Sequence, residues 1–220
     1  MSIQNVEILN QEFVNILNQA EWFTSPEARN AVRCFGKEDP SDYYVSKKYA
    51  KSIIEQGGKH DGYPEELYAY AFSDKRVQFV GDNIQMHNEI IIRHDNLINK
   101  LKQEYALKNN ALFSLYPPGG YISWHNNANA AAYNIILTWS ETGDGYFTYF
   151  DINKQEFIRI QDKPGWQCKV GYFGDWNEQK KLCYHAAKTN CWRMTVSFVF
   201  DLSAASQFAQ EMFIEDITSE

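Results

Sequence analysis

The stretch RMTVSFVF, residues Arg193 to Phe200, alternates polar and apolar side chains over its first six residues. Side chains two residues apart in a strand lie on the same face, so Arg193, Thr195 and Ser197 share one face. The opposite, apolar face must be buried, whereas the polar face either borders solvent or lines a polar cavity inside a barrel. An arginine in such a cavity needs an anionic partner, because burying its charge unpaired is prohibitive. A ligand carboxylate is one such partner, since the guanidinium group binds carboxylates at two points.

Seven further β-rich segments precede this stretch from Ala111 onward. They are ALFSLYP, YISWH, AAYNIILTW, GYFTYFD, QEFIRI, QCKVGYF and KLCYHAA. The separators, among them PPGG, ETGDG and DKPG, are typical of turns and hairpins. About eight strands with no helical pattern between them predict a sandwich or barrel of the jelly-roll kind.

The first 110 residues are predicted to be mostly helix and loop. Apolar residues recur at helical spacing in VEILNQEFVNILNQA, and SDYYVSKKYAKSIIEQGG begins with a Ser/Asp cap and ends at a double glycine. A third helical segment is IIIRHDNLINKLKQEYALKNN. No linker divides the chain. We therefore predict one domain over 1–220, with a helical support region (1–110), a β core (111–203) and a tail (204–220) that forms a short helix.

Composition narrows the classes of function. The net charge of -7 argues against nucleic acid as the main partner, because phosphate contacts need clustered Lys and Arg. No segment approaches a transmembrane run, and MSIQNVEILNQEF does not resemble a secretion signal. The four cysteines show no CxxC pairing, which predicts reduced thiols in a cytoplasmic protein. The expected partners are a small molecule or a peptide.

Two histidines are the candidate metal ligands. In YISWHNN, strict strand alternation places Tyr121, Ser123, His125 and Asn127 on one face and Ile122 and Trp124 on the other. His185 follows in KLCYHAA, eight residues before Arg193. Each histidine alone is more often an ordinary polar residue than a ligand. A His-x-polar pair, a distant histidine and an arginine, in this order within eight strands, favour a metal site beside an anion site.

From about Ala111 to Phe200 the chain resembles the Fe(II)/2-oxoglutarate-dependent oxygenases, particularly the prolyl 4-hydroxylase-like branch. The resemblance is carried by YPPGGYISWHNN, IILTWSETGDGYFTYF and PGWQCKVGYF…YHAAKTNCWRMTVSF. It implies a mainly β fold, preceded by helices, of the double-stranded β-helix (jelly-roll or cupin-like) kind. It also implies an oxidoreductase that hydroxylates a C–H bond, possible substrates being a prolyl, peptidyl or amino-acid group.

The resemblance further implies which residues bind what. His125, Asn127 and His185 occupy the positions of the family's iron ligands, and Arg193 that of the residue pairing with the distal carboxylate of 2-oxoglutarate. Thr195 or Ser197 would assist Arg193, and Tyr116 matches a tyrosine close to the co-substrate. The implied cofactors are Fe(II), 2-oxoglutarate and O2, with ascorbate as an optional addition.

Asn127 stands where the family has a carboxylate ligand, and an amide oxygen is a neutral and weaker donor. Three interpretations remain open: a working oxygenase, a site that admits an exogenous anion, and a catalytically impaired β-helix protein that binds a small anion or a partner. A cupin-type metal protein that does not use 2-oxoglutarate is a further alternative.

No other acid is a strong substitute for that carboxylate. Glu141 and Asp144 lie in a predicted turn. The His87-Asn88-Glu89 tripeptide precedes a helix upstream of the β core, and His94-Asp95 is predicted to be solvated helix surface. The sequence does not indicate an oligomeric state.

Overall fold

The computed structural model describes residues 3–57, 61–73, 76–128, 131–200 and 204–219. Eleven strands and five α-helices follow in chain order, with short 3-10 segments between them. The strands are β1 (Gln4–Val6), β2 (Cys34–Phe35), β3 (Leu67–Ala71), β4 (Asn109–Tyr116), β5 (Tyr121–His125), β6 (Ala132–Ser140), β7 (Gly145–Asp151), β8 (Glu156–Gln161), β9 (Gly165–Phe173), β10 (Tyr184–Thr189) and β11 (Arg193–Phe200). The helices are α1 (Gln11–Leu17), α2 (Pro26–Asn30), α3 (Lys47–Gln56), α4 (Ile84–Glu104) and α5 (Ala204–Thr218).

Strands β4 to β11 form two four-stranded antiparallel sheets. The larger has the order β9-β6-β11-β4 and the smaller the order β5-β10-β7-β8. Along the chain, successive strands alternate between the two sheets, except at the β7–β8 hairpin. This connectivity is that of a jelly roll, in which two sheets face each other. The predicted double-stranded β-helix is confirmed by it.

Three short strands outside the predicted β core extend this arrangement. β1 pairs with β9 at the edge of the larger sheet. β3 pairs with β4 on one side and β5 on the other, so it joins the two sheets along one seam. β2 in turn pairs with β3. None of the three was predicted, because each is short and pairs with residues far away in the sequence.

The helices cover the outer face of the larger sheet. Alternate side chains of β4, β6, β9 and β11 point outward into one apolar cluster with side chains of α1, α4 and α5. Phe113 on β4 is fully buried there, with edge-on ring contacts to Phe23 at 4.7 Å. The apolar face of the Arg193–Phe200 stretch is thus buried as predicted.

The polar face of the same stretch points between the two sheets. The register places Thr195 opposite Ser114 and Thr138, and Thr138 opposite Gln167, in one polar row across the larger sheet. All of these side chains are buried. Of the two options left open by the sequence, the polar interior is therefore the correct one.

The helix boundaries differ from those predicted. α3 begins at Lys47, where the Ser46 hydroxyl accepts a hydrogen bond from the Tyr49 amide, and not at the Ser41-Asp42 pair. α4 ends at Glu104 instead of running into Asn109 and Asn110, which belong to β4. The first predicted helix is split into β1 and α1. The tail does form a helix, α5, which is longer than expected.

All four cysteines are free thiols, as predicted, and Cys183 and Cys191 are buried. No helix in the described part of the chain combines the length and the apolar character needed to cross a membrane.

Candidate functional site

A β-bulge in β5 decides which of its side chains face the interior. His125 pairs with His185 on β10, but Ile122 pairs with Ala187, so three steps along β5 match two along β10. Ile122 and His125 therefore both line the interior cavity, whereas Tyr121 and Trp124 pack together in the cluster under α3. The strict alternation predicted for YISWHNN is wrong, because a bulge adds one residue and reverses the face of those beyond it.

The two histidines meet at this bulge. Their ring centroids are 4.2 Å apart, and both side chains are buried. Nδ1 of His125 donates to the Ser123 carbonyl and Nδ1 of His185 to the Cys183 carbonyl, each at 2.8 Å. Donation from Nδ1 leaves the lone pair of a neutral imidazole on Nε2, the form that binds metals. Burial lowers the pKa of His185 to about 4, so this ring is neutral at pH 7.

Asn127 follows directly after the bulged strand and lines the same cavity. Its backbone is left-handed, with φ of 64°, and so is that of Ala128, with φ of 60°. Asparagine tolerates this conformation better than most residues do. Within the described residues, no hydrogen bond involves the half-buried Asn127 side chain. Its amide is therefore available to a ligand in the cavity.

The cavity that contains these groups has a volume of about 430 Å3, within the range of small-molecule sites. It brings together every residue singled out from the sequence as a site candidate: Tyr116, His125, Asn127, His185, Arg193, Thr195 and Ser197. Its mouth includes Tyr63, Pro64 and Arg76, which come from segments before the β core. None of the described residues that line it is an aspartate or a glutamate. The cavity wall thus carries two arginines without an acid.

Arg193 already has an anionic partner in the protein. Its Nε donates to Oδ2 of Asp162 at 2.8 Å and its Nη1 to the Thr195 hydroxyl at 2.8 Å. Lys169, fully buried on β9, contacts Oδ1 of the same carboxylate at 3.4 Å. The expectation that a ligand would neutralise Arg193 is therefore incomplete, because Asp162 fills that role first. Two buried cations nevertheless share one carboxylate, which leaves an excess positive charge for a further anion.

Tyr116 lies close enough to both arginines of the cavity to be affected by their charges. Its ring centroid is 5.6 Å from Cζ of Arg193. Burial raises the pKa of the Tyr116 hydroxyl, and the charges of Arg193 and Arg76 oppose that rise. Tyr116 is consequently a neutral hydrogen-bond donor at pH 7. The arrangement suits an anion held by guanidinium, phenol and hydroxyl groups.

The donor set can be compared with what a metal requires. Two imidazole Nε2 atoms and one amide oxygen are nitrogen and oxygen donors of the kind that Fe, Zn, Cu and Ni accept. No group of three His, Cys, Asp or Glu side chains converges in the described part of the chain. The residues thus fit a divalent transition metal through two histidines and a neutral third donor, and they lack the carboxylate of the usual facial triad.

Among the described residues, the other histidines and the acids do not line this cavity. His87 lies within α4 and not before the helix as predicted; its ring stacks on Phe79 and hydrogen-bonds the Val80 carbonyl, away from the cavity. His94 was predicted to be solvated, which is wrong: it is buried against Phe113 and its Nδ1 contacts Asp95 at 3.0 Å. Glu141 lies outside the barrel in the β6–β7 turn, where it accepts from the Trp192 amide.

Asp162, Lys169 and Arg76 were not identified from the sequence. Lys169 shares a strand face with Gln167 in QCKVGYF, so alternation alone could have indicated a lysine directed toward the interior. Asp162 resembled an ordinary turn residue in DKPG. Nothing local marks Arg76, because its position at the cavity mouth depends on the path of a loop.

Comparisons with known proteins add the following. No protein-family model matches the sequence, and neither does any curated protein. A prolyl-4-hydroxylase from Pseudomonas putida is similar in structure, with 13% identity, a TM-score of 0.35, and coverage of 86% of this chain and 100% of that one. YcfD, a ribosomal oxygenase from Escherichia coli, has 12% identity and a TM-score of 0.32, and the match covers 80% of this chain and 50% of YcfD. Both names agree with the resemblance drawn from the sequence.

Proposed function

We propose that this protein is a non-haem, Fe(II)- and 2-oxoglutarate-dependent oxygenase that hydroxylates a C–H bond. The observation that carries the proposal is the pair of buried imidazole rings, with centroids 4.2 Å apart, in one cavity with Arg193 inside a jelly roll. His125 and His185 would bind the metal through Nε2, and the Asn127 amide would hold either the metal or a water bound to it. Together, Fe(II) and 2-oxoglutarate would supply an O2-dependent oxidation.

The chain's own residues would orient the co-substrate. Asp162 and Thr195 each bind one nitrogen of the Arg193 guanidinium, which fixes its plane. Of the five N–H groups of an arginine, those not used by these two contacts would meet a carboxylate. Lys169 would add positive charge near Arg193, and the Tyr116 hydroxyl would donate a hydrogen bond to the carboxylate. Buried charges act over a low dielectric, so this group would hold a dicarboxylate firmly.

The substrate would enter past Tyr63, Pro64 and Arg76. Their place at the mouth suits a small molecule or a peptide end, and the absence of acids among the described lining residues favours an uncharged or anionic group over a cation. A prolyl, peptidyl or amino-acid substrate remains the class to test first.

The direct test is an anaerobic titration of the purified protein with Fe(II) and 2-oxoglutarate. We expect the weak visible charge-transfer band of a chelated co-substrate, and succinate formation once O2 is admitted. His185→Ala should abolish the band, whereas His87→Gln, which changes a histidine outside the cavity, should preserve it. Absence of the band together with unmeasurable iron affinity would contradict the enzyme proposal.

A second candidate function is the binding of a small anion without catalysis. It is favoured by the cavity wall, whose described residues include Arg76 and Arg193 but no aspartate or glutamate. In that case 2-oxoglutarate or another dicarboxylate should bind equally well with and without Fe(II). Succinate formation would distinguish the two functions, because a binding protein yields none.

A further inference from the structure

A second cleft, of about 340 Å3, lies on the outer face of the smaller sheet. Its floor consists of side chains from β5, β7 and β8 that point away from the histidine cavity, and its wall is the segment 41–47 that leads into α3. On β7, Tyr146 and Thr148 face this cleft, whereas Phe147 and Tyr149 face the interior. The sheet therefore separates the two sites.

The floor of this outer cleft is aromatic. Trp124 and Phe157 make an edge-on contact with ring centroids 5.5 Å apart, and Tyr146 lies beside them. The indole N–H of Trp124 is already bonded to the Val45 carbonyl at 3.0 Å. The rings consequently offer apolar faces rather than hydrogen-bond donors to whatever occupies the cleft.

The outer cleft is lined by more positively charged than negatively charged side chains. Asp42 is ion-paired with Lys188, which lies behind it on β10. Lys47 and Arg159 also line the cleft, and neither forms an ion pair with any described residue. The Arg159 guanidinium stacks on Tyr146, with Cζ 3.8 Å from the ring centroid, and Lys47 Nζ lies 5.7 Å from the Phe157 centroid. A cationic cleft thus exists on a chain whose net charge is -7.

Protection of a sheet edge explains only part of this arrangement. β8 is an edge strand, and a basic side chain on such a strand discourages pairing with other chains. That reason would account for Arg159 alone. It does not account for a concave aromatic floor, or for a second cation supplied by a different element, α3.

We propose that the outer cleft binds a small organic anion with a planar ring. Lys47 and Arg159 would hold its acidic group, and the ring of Phe157, beside the stacked pair of Arg159 and Tyr146, would contact its ring. Phosphoryl and carboxyl groups share the chemistry that a guanidinium recognises, so either can be the acidic group. This site is independent of the proposed oxygenase function.

The test is calorimetric titration of the full chain with phenyl phosphate, benzoate and inorganic phosphate. We expect binding of at least one of the two ring compounds, and which of them binds more tightly identifies the acidic group. Arg159→Gln should weaken that binding about 10-fold or more, the usual size of a charge-assisted contact, and Lys47→Gln should weaken it as well. Lys48→Gln, next to Lys47 but outside the cleft, is the matched control and should bind like the unaltered protein.

Three outcomes would overturn the proposal. The first is that neither ring compound binds. The second is a loss of binding in Arg76→Gln that equals the loss in Arg159→Gln, because the compound would then occupy the histidine cavity. The third is that inorganic phosphate binds as tightly as phenyl phosphate, which would remove the role of the ring. Lys47, Lys48, Arg76 and Arg159 are all exposed, so the variants should fold.

Discussion

At the scale of single residues, the most consequential group is the buried cluster of Asp162, Lys169 and Arg193. One carboxylate faces two cations, and all three side chains are almost completely excluded from solvent. Such a cluster contributes little net stability, since desolvation offsets much of the attraction. Losing one member of the cluster nevertheless costs much stability, because removal of the Asp162 carboxylate leaves the charges of Lys169 and Arg193 buried without an anion.

We therefore expect Asp162→Asn to lower the free energy of unfolding by about 3–5 kcal/mol, the usual cost of breaking a buried ion pair. Chemical denaturation at pH 7 measures it. Glu156→Gln is the matched control, because Glu156 forms only an exposed ion pair with Lys154 at 3.7 Å and should change stability by less than about 1 kcal/mol. Equal effects of the two substitutions would show that Asp162 is not the central anion of the cluster.

The shifted pKa of Lys169 predicts how the free energy of unfolding depends on pH. Burial, together with the charge of Arg193, lowers its pKa from 10.5 to about 8, against the opposing attraction of Asp162. Between these two pH values the unfolded chain binds more protons than the folded one, so this group makes stability rise with pH. The free energy of unfolding of the unaltered protein should rise relative to that of Lys169→Met from pH 8 to 10. Denaturation curves of both proteins at each pH test this prediction. A difference in free energy of unfolding that stays constant from pH 8 to 10 would contradict the lowered pKa of Lys169.

If a metal binds to the two histidines of the cavity, the residue at position 127 would affect how strongly it is held. If the amide faces the metal, Asn127→Asp adds a negative charge and a better donor, and the dissociation constant for Fe(II) should fall by about 10-fold or more. Asn126→Asp is the control, since Asn126 is buried and its Oδ1 accepts from the Ala128 amide. Competition with a chelator measures the affinity. An unchanged value in Asn127→Asp would mean that this side chain lies away from the metal.

At the scale of elements, the strands of the β core were predictable, whereas the short strands β1 to β3 and the bulge in β5 were not. The limits of β5, β7 and β11 agree with the predicted runs, because turn residues bound them and alternating side chains define them. The bulge in β5 depends on the register against β10, which no single strand encodes. Helix starts were missed for a related reason: Ser41, Asp42 and Ser46 are all good caps, and tertiary packing selects Ser46.

The position of a strand in its sheet should determine how fast its backbone amide hydrogens exchange with solvent. β11 is paired on both sides, with β4 and β6, whereas β8 is paired only with β7 among the described strands. We expect the central amides of β11 to exchange through global unfolding and those of β8 to exchange faster, through local opening. Exchange measured by mass spectrometry at strand resolution tests this order. Equal protection of β8 and β11 would contradict it.

At the scale of the whole molecule, the two ends of the chain support the barrel together. The amides of Leu9 and Asn10 bond to the Ile217 carbonyl, and the rings of Phe13 and Phe213 are 5.6 Å apart. Phe13, Phe213 and Ile217 belong to the same apolar cluster as the outer face of the larger sheet. The sequence predicted one domain with a helical support region, and this shared core is the physical reason to expect it.

A single domain should unfold in one step. Phe213→Ala removes a fully buried ring from α5 and should cost about 3–5 kcal/mol. Because the core is shared, helix and barrel probes (far-ultraviolet circular dichroism and tryptophan fluorescence) should shift together to the same lower midpoint. Separate transitions for the two probes would contradict the single-domain prediction.

The residues around the cavity come from two kinds of segment, and this has an evolutionary consequence. The histidines lie on paired strands, while Tyr63, Pro64 and Arg76 come from connections outside the eight-stranded core. Connections tolerate insertion and exchange far better than paired strands do. A lineage descended from this protein could therefore change what enters the cavity by altering those connections, while the histidines and Arg193 on the paired strands stay unchanged.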